Sequence, residues 1–400
     1  MTSNPTSSRK SKLRKRIGVV VGQMIQIGGV GIVAMEEVRN FRKLGYDAEL
    51  IVIKEKKGFL EHKKLASDIP LRFLSRDFPW WAKINFKIPG FSFFSLFHLL
   101  AYFAIPKMIK KGDYDLLIVH ETYNCFSVLR LQRKGIPCIA YIFDPISHVL
   151  PSVYKKKFLR HFFPVILPIA KHFDKKFVRD SSMTFVGSNV HLNFYKSLDV
   201  DASKIKVIYP GIVPEPNYPD TKRTYIMALT KWATGKKPGF LIKVLKNLKN
   251  KKIRLIVAGN WATPELKREF LEKAKSAGLQ NRIEVTGRIS NEEKTKLFSY
   301  ALALIHPIFE GFGMFALEAA TCGCPTIMPE KSGVTDVLKN GKEGIFLSEG
   351  DVKAFVKHLD DFIDNPKLAI EMGKRAREVA NKYTWVYHVK RIEKEIKNII

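Results

Sequence analysis

Cysteine is scarce in this 400-residue chain: four thiols, at positions 125, 138, 322 and 324. They form one C-x-C and no C-x-x-C, which excludes a disulfide scaffold and argues against a zinc site. A reducing, cytoplasmic compartment is the expectation. Acidic residues are also few, 38 against 68 lysines and arginines, leaving a net charge of +30. A signal-peptide pattern is missing. The polar start ends Ser11-Lys-Leu-Arg-Lys-Arg16 with no apolar segment of that type after it, and residues 1–15 read as a basic flexible tail. What is present is ample core material. A hydrophobic content of 46% and an aromatic content of 12% exclude a disordered chain, and the length suits two domains.

The positive charge calls for a polyanion: nucleic acid, an anionic membrane surface or phosphorylated small molecules. Residues 1–208 carry +19 and the remainder +11, so the excess is heavier in the first half. No nucleic-acid-binding module is recognisable. The aromatics cluster in an uncharged run rather than alternating with basic residues, which disfavours nucleic acid as a partner. A Lys-rich composition without a partner is the bland alternative.

Strand and helix patterns alternate along the chain. Arg16–Val21, Ala48–Ile53, Asp115–Val119, Pro137–Ile142, Met183–Val186 and Ile205–Tyr209 read as short, buried, β-branched strands, with a helical pattern over Ile32–Leu44 after Gly28-Gly29-Val30-Gly31. Pro210, Gly211, Pro214, Pro216 and Pro219 mark a linker over 210–222. The alternation then restarts. Strands are expected at Tyr225–Leu229, Ile253–Ala258, Ile283–Val285, Ala301–Ile305 and Pro325–Met328, and helices near 237–249, 264–277, 291–299 and 315–322. This predicts an α/β protein of two Rossmann-like, doubly wound domains, 16–209 and 223–381, facing across a cleft, with 382–400 a C-terminal helix crossing back to the first.

Two stretches depart from a simple water-soluble pattern. Residues 73–103 hold eleven aromatics, and Lys87 to Lys107 enclose nineteen uncharged residues. A spanning helix there would disrupt the sheet, so the segment of about 78–111 is read as a membrane-facing interfacial element with basic flanks. A helix buried in the core is the competing reading. Lys155 to Lys176, with Phe158, Phe162, Phe163 and Val165-Ile-Leu167, repeats the basic and aromatic pattern.

The chemistry-bearing residues lie mainly in the second half. Glu310-Gly-Phe-Gly-Met-Phe-Ala-Leu-Glu318 places one carboxylate on a glycine-containing loop and another a turn inside the following helix. Both accept hydrogen bonds when ionised, which suits hydroxyl-rich ligands, and the N–H groups at the helix start suit phosphate. Gly28 and Gly29 offer a similar close approach after the first strand. Asp113-Tyr114-Asp115 matches a metal-binding Asp-x-Asp but reads as a turn before a strand.

Pro307-Ile-Phe-Glu-Gly-Phe-Gly, Leu317-Glu-Ala-Ala and Cys322-Gly-Cys-Pro-Thr-Ile together resemble retaining glycosyltransferase family 4, whose members have the GT-B fold and a Glu-x7-Glu signature. Lys231-Trp-Ala-Thr-Gly-Lys236 is similar to that family's paired basic motif, with Lys in place of Arg at the first position. The resemblance implies that Glu318 binds the donor ribose and Glu310 the transferred sugar. It implies that Lys231 and Lys236 neutralise the leaving diphosphate, and that backbone N–H groups of Phe312, Gly313 and Met314 contact sugar or phosphate. Gly28 and Gly29 would admit the diphosphate, and Arg288 and Ile289 would flank the base. Phe143 stands where many members carry His. Asp144 is then the expected acceptor-side acid or base, with His148, or else His120, supplying the imidazole.

These readings predict a metal-independent, cofactor-free, retaining hexosyltransferase. It would use a nucleotide diphosphate sugar, UDP- or GDP-linked, and a lipid-linked or glycan acceptor at an anionic membrane surface. Its expected place is the cytoplasm, peripheral to the inner face of the cell membrane. The alternatives are a soluble GT-B transferase acting on a small acceptor and a nucleic-acid-binding protein.

Overall fold

The computed structural model describes residues 14–23, 29–55, 65–83, 96–120, 126–153, 161–215 and 223–400. Seven strands build a first sheet: β1 (Arg16–Gln23), β2 (Asp47–Lys54), β3 (Leu71–Phe73), β4 (Leu116–His120), β5 (Cys138–Ile142), β6 (Met183–Val186) and β7 (Ile205–Val207). Their order is β3-β2-β1-β4-β5-β6-β7. Six build a second: β8 (Tyr225–Leu229), β9 (Arg254–Ala258), β10 (Ile283–Gly287), β11 (Ala301–Ile305), β12 (Thr326–Pro329) and β13 (Gly344–Leu347), ordered β10-β9-β8-β11-β12-β13. Every neighbouring pair of the second sheet runs parallel, as do β1 with β2 and β4, β2 with β3, and β6 with β7.

Sequence accounts for this locally. Ile17, Val19 and Val20 of β1 are fully buried, as a central parallel strand covered on both faces requires. A Cβ at Gly18 would come within 2.6 Å of the Leu117 side chain and 2.8 Å of Ile51, so any larger residue there requires those two side chains to move. The second sheet is covered by helices such as Gly239–Asn247, whose Leu241, Val244 and Leu245 pack with Val257, Leu302 and Phe355 in one core. The sheets change over between Val207 and Tyr225, within which residues 216–222 lie outside the described ones.

The chain forms two compact units. One comprises residues 1–140 with 180–182 and 393–400, the other 141–179 with 183–392. The helix Trp385–Ile396 contributes to both. In the first unit the Tyr46 hydroxyl donates to Glu393 at 3.1 Å. In the second, His388 Nδ1 stands 2.7 Å from the Tyr209 carbonyl and Arg391 donates to that of Val207 at 3.2 Å.

The aromatic segment is only partly described, since residues 84–95 lie outside. Helix Leu96–Met108 buries Ala101, Ala104 and Ile105 while Phe103 stays exposed. Among the described residues no helix is long and apolar enough to cross a membrane.

Candidate functional site

The second unit brings two loops together at the carboxyl ends of neighbouring strands. The first follows β8 and carries Lys231 and Lys236. Trp232 pins it: the indole is fully buried, donates to the Ala258 carbonyl at 2.8 Å and stacks on Trp261 at 5.8 Å. Gly259 lets the two chain segments meet. It adopts φ +110°, and a Cβ there would collide with the Thr230 carbonyl.

The second loop follows β11 and carries His306 and Glu310. Main-chain contacts fix its shape. The Glu310 N–H donates to Ser332 Oγ at 3.2 Å, the Gly333 N–H donates to the Glu310 carbonyl at 3.0 Å, and Ser188 Oγ donates to the Gly311 carbonyl at 2.7 Å. Gly311 admits no larger residue, because a Cβ would lie 2.6 Å from the His191 ring and 3.2 Å from the Phe143 carbonyl. Gly313, at φ +92°, turns the chain into helix Met314–Thr321. The Ala316 N–H already donates to the Gly313 carbonyl at 2.9 Å; helix starts of this kind leave first-turn N–H groups without i−4 acceptors, which suits an anion.

Charge concentrates at Glu310. Lys236 Nζ lies 2.5 Å from its Oε1, and His306 Nε2 lies 2.7 Å from the same oxygen, though out of line for a full hydrogen bond. Desolvation pushes the Glu310 carboxyl up, but the adjacent His306 and the Lys236 ammonium outweigh it and hold the group at about 2. Asp144 feels the same charges. Solvent reaches it, yet protein crowds it closely enough that desolvation, then the negative charge of Glu310, raise its carboxyl above the usual range against the pull of Lys236. One carboxyl is therefore held ionised while another near it is biased toward its protonated form, the pattern that divides acid and base roles.

Glu318 sits one turn inside its helix and pairs with Lys294 at 2.9 Å. Lys294 comes from helix Asn291–Tyr300, capped by Ser290 Oγ, which accepts from the Glu293 N–H at 3.0 Å. His148 is half-buried on helix Ile146–Val153, with its ring 5.6 Å from Phe309 and 6.4 Å from His191. Its Nε2 and both nitrogens of His191 are buried without a hydrogen-bond partner among the described residues. Desolvation lowers both imidazoles, that of His191 to about 3 with help from His148, so both are neutral at physiological pH.

The expected residues thus fall into groups. Glu310, Lys236 and Asp144 influence one another directly, while Glu318 stands with Lys294. Lys231 is exposed on the Trp232 loop, and Arg288 is exposed beyond β10. Ile289 packs against the cluster of Phe298 and Leu304. The Phe312 ring is buried and stacks on Tyr209 at 6.0 Å, so only its main chain is available to a ligand. Met314 is half-buried. Gly28 lies outside the described residues, and Gly29 opens helix Gly29–Lys43 in the first unit. His120 also belongs to the first unit, fully buried 2.7 Å from Glu37. Asp113 and Asp115 serve the backbone: they accept from the N–H groups of Lys110 at 2.8 Å and Arg16 at 2.7 Å. Among the described residues no cluster of three or more His, Cys, Asp or Glu is placed to hold a metal ion.

Sequence reasoning missed His306, His191 and Lys294. A histidine directly after the apolar strand Ala301–Ile305 was a usable signal for the first. The other two become visible only through tertiary contacts.

Comparison with known proteins adds family information. Residues 27–216 match the family model described as Glycosyltransferase Family 4, and residues 214–379 match that described as Glycosyl transferases group 1. A D-inositol 3-phosphate glycosyltransferase of Streptomyces scabiei is 25% identical over 209 residues, 47% of each chain. A 2-deoxystreptamine N-acetyl-D-glucosaminyltransferase of Niallia circulans is 24% identical over 293 residues, 68% of this chain and 74% of the relative. The matches to inositol-phosphate enzymes of three Streptomyces species span 28–47% of those proteins' length. Among solved structures, sucrose-phosphate synthase of Thermosynechococcus elongatus superposes with a TM-score of 0.77 at 15% identity, covering 96% of this chain and 99% of that one. HepE of Anabaena, solved with UDP and glucose, superposes with a TM-score of 0.74 at 15% identity, covering 96% and 100%. These likenesses show the GT-B fold.

Proposed function

Because the chain belongs to the family-4-like glycosyltransferases of GT-B fold, we propose that it transfers a hexose, with retention of configuration, from a UDP- or GDP-linked sugar to a lipid-linked or glycan acceptor at a membrane surface. The observation that carries this reading is the Lys236–Glu310–His306 cluster at the end of β11, beside Asp144 and ahead of a helix start.

In this reading the bond between the anomeric carbon and the diphosphate oxygen breaks first. Lys231 and Lys236 neutralise the departing charge, together with the N–H groups of Phe312, Gly313 and Met314. Glu310, kept ionised, binds sugar hydroxyls and stabilises the oxocarbenium-like charge. Glu318 binds the ribose. Gly28 and Gly29 admit the diphosphate, while Arg288 and Ile289 flank the base. The acceptor oxygen then bonds the anomeric carbon on the face the diphosphate vacates; Asp144, in its ionised form, orients the acceptor hydroxyl and takes its proton, with His148 as a neutral partner. No metal or cofactor is assigned a role. The UDP and glucose of HepE and the phosphorylated inositol of the Streptomyces relatives are consistent with a nucleotide sugar and a hydroxyl-rich acceptor. Exposed Trp80 and Phe103, with Lys107 5.8 Å from the Trp81 ring, support a membrane-facing side of the first unit.

The test is a panel of UDP-, GDP- and ADP-sugars incubated with the protein and lipid extract, with product configuration read by NMR. One donor consumed with retained anomeric configuration is expected. Inverted product, or no consumption of any donor by the folded protein, contradicts the proposal.

A further inference from the structure

A second charged recess lies within the second unit, away from the Glu310 loop in sequence. A cavity of about 340 Å³ opens between the C-terminal half of helix Phe163–Asp180 and residues 199–204. Its basic lining is Lys175, Lys176, Arg179 and Lys204, with His172 beside them. Asp199 and Asp201 also line it, but the Asp201 carboxylate is engaged by the Ser203 N–H at 3.0 Å and the Ser203 hydroxyl at 2.5 Å. Four permanent cations and two carboxylates line the recess. Its volume is at the small end of the roughly 300–1,000 Å³ of ligand pockets, which suits a phosphorylated headgroup better than a nucleotide sugar.

The same helix carries an exposed apolar stripe. Phe162, just before it, and Val165 and Ile169 are 46%, 64% and 52% exposed. Positions 162, 165, 169, 172, 176 and 179 follow a 3-4-3-4-3 spacing and so share one helix face. That face spans about 25 Å, apolar in its first half and basic in its second. Ala170, Asp174 and Phe177 are buried and anchor the opposite face.

We propose that this face docks on an anionic membrane, with Phe162, Val165 and Ile169 entering the acyl boundary and the cavity receiving a lipid phosphate. Charge complementarity selects this occupant: a basic recess continuing an exposed apolar stripe matches the two layers of an anionic lipid surface. The inference rests on the membrane-surface part of the proposed function and adds a contact element that belongs to the second unit.

The test uses the full chain in co-sedimentation with phosphatidylcholine vesicles, with and without phosphatidylglycerol. Two variants are compared with wild type: Val165→Asp/Ile169→Asp for the apolar half and Lys175→Glu/Lys204→Glu for the basic half. Circular dichroism and hydrolysis of the donor in solution check that fold and donor site are intact. Wild-type binding to anionic vesicles and a roughly tenfold or greater loss in each variant are expected. Variants that bind as wild type does overturn this docking face and leave the membrane reading standing. A wild type that ignores anionic vesicles overturns both. Equal binding to neutral vesicles overturns the role of the basic recess.

Discussion

At the residue scale the site is organised by one ionised carboxylate. Glu310 is 19% exposed and held at about 2 by His306 and Lys236 against its own desolvation, from an ordinary value of 4.5. A carboxyl whose folded value is depressed adds stability that is complete above its unfolded value and disappears as pH falls toward the folded one. Removing Lys236 raises the folded value and shrinks that contribution. Lys236→Met should therefore lose about 1–2 kcal/mol at neutral pH. The deficit should narrow as pH falls from 4.5 toward 2. Urea denaturation at neutral pH and at about pH 3 measures it; a deficit that widens on acidification contradicts the coupling. Glu310 and Glu318 were singled out in the sequence by loop glycines and a helix start, whereas Lys236 and Asp144 were singled out by the family resemblance. His191 was not, because the glycine it approaches, Gly311, is distant in sequence.

At the element scale the strands were legible where they are central and buried. β1, β4 and β11 are short β-branched or aliphatic runs with near-complete burial. β3 and β13 escaped notice. Both are edge strands of three or four residues, and β13 includes a glycine, so neither shows a usable periodicity. Helix ends were read to within a residue or two where a cap is present, as at Thr263 and Ser290. The Ser290 cap has a functional corollary, since its helix carries Lys294 against Glu318. Ser290→Ala should cost about 1 kcal/mol in thermal or chemical unfolding. It should also raise the KM for the donor more than it lowers kcat, because it loosens a partner of the carboxylate proposed to bind the ribose. Unchanged stability would show that the cap is not energetically engaged.

At the scale of the whole molecule, the +30 charge becomes three local statements. Lys236 serves Glu310 and, in the proposed reaction, the diphosphate. Lys175, Lys176, Arg179 and Lys204 make a separate basic recess. Many of the rest are solvated surface residues, including exposed ion pairs such as Lys273 with Glu269, which contribute little to stability. The family is legible from motifs in the second half of the chain, and the fold from the strand–helix alternation of both halves. The acceptor depends on loop shape and side-chain contacts that a linear motif does not encode.

The central claim is that Glu310 and Glu318 act on a nucleotide sugar. The most direct measurement is turnover of the preferred donor by wild type, Glu310→Gln and Glu318→Ala, with folding checked by circular dichroism. The account predicts at least a hundredfold loss of kcat/KM in Glu310→Gln and a loss dominated by KM in Glu318→Ala, both with native spectra. Wild-type turnover in either folded variant would contradict it.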